Sequence, residues 1–245
     1  MTRIVTITNK GYIDYTLNCL KSFEKSGLDP NILECWCIDE EVYNQLKELS
    51  YNAILIPEND FMFKDGKKVT ELAKWGQISF GLHVTIQKFY AIYEVLKNNE
   101  DVLFLDGDIV IENPEFVQYF IDNIKDTFNK FSTKIKDNDL LIQDENHKNI
   151  KCSGVMYIKS TETTKKYFNP KNVNYQTTTR WTDQTYINSI LHLLKYKLID
   201  SNLFPNGKYY YEKHATLNPY LIHFNFLVGH EKKKKMQHFK KWYND

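Results

Sequence analysis

The sequence predicts an α/β fold with a parallel sheet covered by helices, on three observations. Strand and helix patterns alternate from the first residues onward. A short, wholly apolar segment at 102–105, Val-Leu-Phe-Leu, reads as a central parallel strand buried on both faces. The second half then turns to strands at 139–144 and 153–159 joined by a polar turn, an antiparallel addition.

Residues 3–8, Arg-Ile-Val-Thr-Ile-Thr, are rich in β-branched side chains and give the first strand. Asn9-Lys10-Gly11 turns the chain. Tyr12, Tyr15, Thr16, Cys19, Leu20 and Phe23 then recur at helical spacing, and Ser26-Gly27 closes that helix. Residues 32–38 form a second strand, a helix covers 40–49, and Ala53-Ile54-Leu55-Ile56 is a third strand stopped by Pro57. The polar stretch 58–80 reads as a long loop or short helices over the sheet edge. Ile86, Phe89, Tyr90, Tyr93 and Leu96 mark the helix before the central strand. A helix from Pro114 to about 130 places proline in its first turn. The spacing predicts another helix over 181–195, short aromatic strands that include Tyr209-Tyr210-Tyr211, and a basic tail.

The chain has 245 residues, enough to bury about 70% of its unfolded surface without a disulfide or metal staple. No repeat or linker divides it, so one domain is expected over 1–245, with its halves at 1–111 and 112–245. Lys plus Arg number 32 and Asp plus Glu 31, a net charge of +1 that gives no case for a nucleic-acid partner. Cys19, Cys35, Cys37 and Cys152 read as buried free thiols, because a Cys-x-Cys pair falls far short of a zinc site. Met1-Thr2-Arg3 leads straight into a strand without a signal peptide, and no run approaches the ~20 apolar residues of a membrane span. A cytoplasmic location is the expectation.

The strongest chemical signal is Leu105-Asp106-Gly107-Asp108-Ile109. Two carboxylates leave the carboxyl end of a buried strand, the edge at which open α/β sheets bind ligands. Two acids one residue apart repel unless a cation sits beside them. Hard divalent ions prefer oxygen ligands and keep positions open for substrate phosphates. The pattern therefore reads as a Mn²⁺ or Mg²⁺ site that grips a polyphosphate. The bland alternative is a solvated acidic turn.

Two enzyme families carry such a stretch. Haloacid-dehalogenase-type phosphatases place it after the first strand, whereas here three strand units precede it. The chain more closely resembles the GT-A glycosyltransferases, whose Asp-x-Asp follows several βα units and binds the metal of a nucleotide-sugar diphosphate. Cys152-Ser153-Gly154-Val155-Met156-Tyr157-Ile158 resembles the element that supports the donor sugar in retaining members. Thr182-Asp183-Gln184 resembles the Asp-Gln helix start of the glycogenin and bacterial galactosyltransferase group, and His223, Gly229 and Lys232 its His…Gly-x-x-Lys close. The resemblance covers roughly residues 3–235 and points to the nucleotide-diphospho-sugar transferase branch, also called extensin-arabinosyltransferase-like.

Carried over, the resemblance implies metal ligation by Asp106, Asp108 and His223, and diphosphate binding by Lys232 and the backbone at Gly229. It implies a nucleoside pocket lined by Thr8 and Tyr12 with Asp39 near the base or ribose, and Lys88 steadying sugar or phosphate. Asp144, Asp183 and Gln184 would hold the donor sugar, with Gln184 on the reacting face. Cys152 stands where the group commonly has Asn, and Thr8 where it has an acid. Each residue also has a structural reading: His223 and Tyr12 as core, Asp183 as a helix cap, Asp144 as a strand end, and Lys233, Lys234 and Lys235 as a solvated charge run. The implied activity is retaining, metal-dependent transfer of a sugar from a UDP-hexose or UDP-pentose to an acceptor hydroxyl. A phosphohydrolase and a non-catalytic sugar-nucleotide-binding module are the alternatives.

Overall fold

A computed structural model of the chain describes residues 1–64, 67–68, 84–124, 138–147, 149–173 and 182–244. The first half follows the alternation read from the sequence: β1 (Thr2–Thr8), α1 (Ile13–Lys25), β2 (Leu33–Cys37), α2 (Glu40–Glu48) and β3 (Ala53–Leu55). A two-stranded ribbon, β4 (Phe63–Lys64) and β5 (Lys67–Lys68), falls within the stretch read as a loop, most of which lies outside the described residues. Next come α3 (Ile86–Leu96), β6 (Asp101–Leu105), β7 (Ile109–Ile111) and α4 (Phe116–Ile124). The second half holds β8 (Leu140–His147), β9 (Ile150–Ile158), α5 (Glu162–Phe168), α6 (Asp183–Ile190), β10 (Tyr196–Leu198), α7 (Gly207–Lys213), β11 (Leu221–His223) and α8 (Gly229–His238).

Seven strands make one sheet in the order β10-β8-β9-β6-β1-β2-β3. β1 pairs in parallel with β2 and β6, and β2 with β3. β6 is central, as its apolar run requires, yet it is parallel on one side only; β9 runs antiparallel to it. Alternate side chains of each strand supply two cores. Val5, Phe104 and Met156 pack under α3 and α6, whereas Ile4, Leu103, Leu105 and Tyr157 pack under α1 and α4 with Phe23, Phe116 and Phe120. A third cluster of Tyr15, Val110, Tyr210, Phe224, Met236 and Trp242 fixes the C-terminal segment against α1 and β7.

Three expectations need correction. Tyr209-Tyr210-Tyr211 lies in α7, not in a strand. The Asn206 side chain caps this helix by accepting from Tyr209 N at 2.9 Å, and helical spacing lets Tyr210 and Tyr211 both pack on Phe239. The 181–195 segment is not one helix. α6 ends at Ile190, a 3₁₀ turn covers Leu191–Leu193, and β10 then joins the sheet edge beside β8, so pairing overrides helical periodicity. α4 starts at Phe116 rather than Pro114, and 125–130 and Trp181 lie outside the described residues. Among the described residues no helix is long and apolar enough to cross a membrane.

Candidate active site

The carboxyl ends of β1 and β6 open into a cavity of about 380 Å³, within the range of small-molecule sites. Its walls run from Ile7, Thr8, Asn9 and Tyr12 through the Asp106–Asp108 turn to Lys88, Asp183 and Gln184. Asp106 follows β6 directly, and Asp108 precedes β7. β11 pairs antiparallel with β7 in the register His223↔Ile109, and Phe224 N donates to Asp108 O at 3.1 Å. That pairing carries a histidine more than a hundred residues downstream to the two acids. His223 Nε2 lies 3.3 Å from Asp108 Oδ1 and 3.7 Å from Asp106 Oδ2. One ligand atom from each of the three residues lies within 4.8 Å of the others. Two carboxylates and an imidazole suit Mn²⁺ or Mg²⁺, with positions left for phosphate oxygens.

His223 is 2% exposed and its Nδ1 sits 2.8 Å from Gln143 Oε1, a contact that orients the ring and aims Nε2 at the acids. The same corner depends on Gly154. Ile142 pairs with Met156, but the next residue, Gln143, pairs with Cys152, so Ser153, Gly154 and Val155 bulge from the β8–β9 ladder. The bulge places Gly154 against the triad. A Cβ there would stand 2.1 Å from His223 Cε1 and 2.7 Å from Asp106 Oδ2. Gly154→Ala is therefore expected to push His223 off the acids, weaken Mn²⁺ binding at least tenfold and cost about 1–3 kcal/mol by overpacking. Calorimetric Mn²⁺ titration beside thermal unfolding checks this; unchanged metal affinity would refute it.

Two lysines meet the acids. Lys232, 4% exposed on α8, donates from Nζ to Asp108 Oδ2 and, at 2.8 Å, to the Tyr12 hydroxyl. Lys88, 3% exposed on α3, donates to Asp183 Oδ2, lies 3.0 Å from Asp106 Oδ1 and reaches Ser153 O at 3.2 Å. Ser153 Oγ also donates to Asp183 Oδ2 at 2.7 Å. Burial alone would raise all three carboxyls. At Asp108 the charges of Lys232 and His223 outweigh it and hold the group well below the usual carboxylate range. Lys88, by its charge and its hydrogen bond, lowers Asp183. At Asp106, which is 31% exposed at the side chain, burial and the neighbouring acids win over Lys88 and raise the group.

The structure thus brings Thr8, Tyr12, Lys88, Asp106, Asp108, Asp183, Gln184, His223 and Lys232 to one cavity. Lys233, Lys234 and Lys235 are half-buried or exposed on the same helix. Asp39, Asp144 and Gly229 lie off the wall. Asp39 is buried behind the 9–11 turn and accepts from Lys10 N at 2.7 Å. Asp144 pairs with Lys151 Nζ at 3.2 Å; the cavity is faced instead by Glu145, because the ladder slips again after Asp144. Gly229 opens α8 at φ +49°, and its carbonyl accepts from Tyr15 Oη at 2.7 Å. Glu145, Ser153, Asn225 and Phe226 also line the wall. Ser153 and Asn225 stood inside the motifs around Gly154 and His223, but no sequence signal marked Glu145 or Phe226.

Tyr12 is half-buried, with its ring 5.1 Å from that of Tyr15. Its place in the cavity lining offers an aromatic ring for a planar base to stack on, an interaction worth about 1–3 kcal/mol. Tyr12→Ala is expected to weaken UDP binding ten- to a hundredfold by calorimetry. Unchanged affinity with a lower melting temperature would make Tyr12 a core residue only.

A sequence profile described as nucleotide-diphospho-sugar transferase matches residues 33–239. The chain belongs to the nucleotide-diphospho-sugar transferase family. A UDP-galactose:fucoside alpha-3-galactosyltransferase of Dictyostelium discoideum is 26% identical over 275 residues, covering 95% of this chain and 41% of that protein. The chain thus spans about two fifths of the length of this curated relative. Among solved structures, a glycosyltransferase involved in glycosylation of the major capsid of PBCV-1 superposes with a TM-score of 0.54 at 12% identity, over 97% of this chain and 98% of that one. The galactosyltransferase LgtC, solved with donor and acceptor sugar analogs, superposes at 0.52 and 13% identity, over 91% and 86%. At these identities the structures establish the fold alone: a mixed α/β sheet of the GT-A glycosyltransferase kind.

Proposed function

We propose that this chain is a metal-dependent transferase that moves a sugar from a UDP-sugar to an acceptor hydroxyl with retention of anomeric configuration. The observation that carries the reading is the meeting of Asp106, Asp108, His223 and Lys232 in one cavity whose lining also includes Thr8, Tyr12 and Gln184. The name of the Dictyostelium relative favours UDP-galactose as the first donor to test and a fucoside as the first acceptor.

Asp106, Asp108 and His223 would hold Mn²⁺ or Mg²⁺. When bound, that cation neutralises negative charge growing on the departing diphosphate. Lys232, projecting from the first turns of α8, adds an ammonium on the same side. Lys88 clamps Asp183 so that its carboxylate faces the sugar end already ionised and hydrogen-bonded. A carboxylate with two donors and a depressed pKa is a poor proton acceptor, which argues against Asp183 as the base of an inverting reaction. In the retaining route the acceptor proton passes to a diphosphate oxygen on the same face. The Gln184 amide then steadies positive charge at the anomeric carbon.

Gln184→Ala is expected to lower kcat at least tenfold while leaving donor KM within about twofold, the mark of an interaction made mainly in the transition state. A rise in KM at constant kcat would instead make Gln184 a ground-state sugar contact. Thermal unfolding with a panel of nucleotides and UDP-sugars, with and without Mn²⁺, tests the donor. UDP at a hundred times its Kd should add about 2.7 kcal/mol, and only with metal. Phosphomonoester hydrolysis without UDP affinity would point to the phosphohydrolase reading.

A further inference from the structure

Each acid of the triad already holds an ammonium, and the two are anchored differently. Lys88 sits mid-cavity on α3 with three oxygen acceptors, from Asp106, Asp183 and Ser153, and with the Phe104 ring 4.5 Å from its Nζ. Lys232 has two partners, the Asp108 carboxylate and the Tyr12 hydroxyl. Its Nζ also lies 5.2 Å from the Tyr12 ring centroid and 5.3 Å from that of Tyr15, an aromatic shelf that tolerates a cation in more than one position. The helix carrying it follows a loop in which Phe226 adopts φ +67° and is 46% exposed.

The formal charges point the same way. Leaving His223 aside, Asp106, Asp108, Asp183 and Glu145 against Lys88 and Lys232 give the site −2. A divalent ion alone would bring this to zero, but beside a buried ammonium that shares its carboxylate. A diphosphate alone would set two or three further negative charges among four carboxylates. Added together, metal and diphosphate nearly cancel, and the ammonium released from Asp108 finds new acceptors on the phosphate.

We propose that Lys232 is the resident counter-cation of Asp108, and that it leaves this carboxylate for the diphosphate when the divalent ion arrives, so that metal and nucleotide bind as a pair. This rests on the metal and diphosphate reading of the cavity. It gives Lys232 a second role besides contact with phosphate: it keeps the metal site closed to a bare ion. Coupling between two ligands is reciprocal, so each must raise the affinity of the other by the same factor.

Calorimetric titration of Mn²⁺, with and without saturating UDP, tests it on the wild type, Lys232→Met and Lys232→Gln. In the wild type UDP should tighten Mn²⁺ binding by about tenfold or more. Both variants should bind Mn²⁺ alone about tenfold more tightly than the wild type, and their gain from UDP should fall below about threefold. Lys232→Gln retains hydrogen-bonding reach to Asp108 and Tyr12 without the charge, and serves if Lys232→Met does not fold. If a folded variant binds Mn²⁺ alone no more tightly than the wild type, the counter-cation role is wrong while the metal site stands. If the wild type binds no Mn²⁺ even with UDP, or Asp108→Asn binds it as well as the wild type does, the site reading fails and the proposal with it.

Discussion

Asp108→Asn is expected to lower metal-dependent turnover of a UDP-sugar by about a thousandfold or more, and to remove the Mn²⁺ dependence of UDP binding. Asp108 is 2% exposed, at the end of β6 and next to β7, with its main chain pinned to Phe224. The amide keeps the size and shape of the carboxyl, so the loss reads out charge and ligation rather than packing. One oxygen faces His223 and the other Lys232; asparagine can answer only one of them with an acceptor. Steady-state kinetics over a Mn²⁺ titration measures the effect. A variant that still turns over within tenfold of the wild type would remove Asp108 from the reaction.

Lys88→Met is expected to have the largest effect on stability, about 3–5 kcal/mol, because it leaves Asp106 and Asp183 facing each other without their shared countercharge. For a chain of this size that corresponds to a fall in Tm of roughly 6–20 °C. The deficit should shrink on acidification. In the wild type Asp183 is depressed below its unfolded value near 3.8, so its contribution is present above that value and lost as pH falls through the folded pKa. In the variant both acids are raised by burial and mutual repulsion, so stability is lost as pH rises through their folded values. Between pH 7.5 and 4 the narrowing comes from the variant, because the wild-type loss sets in only below about 3.8, and unfolding of the pair at pH 4, 5.5 and 7.5 would check it. A gap that widens with acid would show that Lys88 acts by packing alone.

The first half of the chain was legible because its signals are local. β1 to β3 and their helices follow from β-branched runs, helical spacing and turn residues. Asp106 and Asp108 were legible because a dry strand ends at them. His223 was reached only through resemblance; its place depends on β11 pairing with β7, a contact that no short-range pattern encodes. Gly154 became meaningful only with the bulge at 153–155, and Glu145 rather than Asp144 faces the cavity because of a second slip in the same ladder. Such slips reverse inward and outward faces without changing composition. The tyrosine run of α7 misled because its aromatic β-propensity is outweighed by the Asn206 cap and by packing on Phe239. Lys88 and Lys232 were legible as basic residues, but the burial of Lys88 between two carboxylates and of Lys232 against one was not.

The most direct measurement of the central claim is release of UDP from UDP-galactose by the purified chain, with Mn²⁺, with EDTA, and with Mn²⁺ restored. Product stereochemistry is read by NMR when a fucoside acceptor is present. UDP release should stop in EDTA, return with Mn²⁺, rise with acceptor and yield the retained anomer. Equal release in EDTA would contradict the role given to Asp106, Asp108 and His223, and an inverted product would contradict the assignment of Gln184 and Asp183.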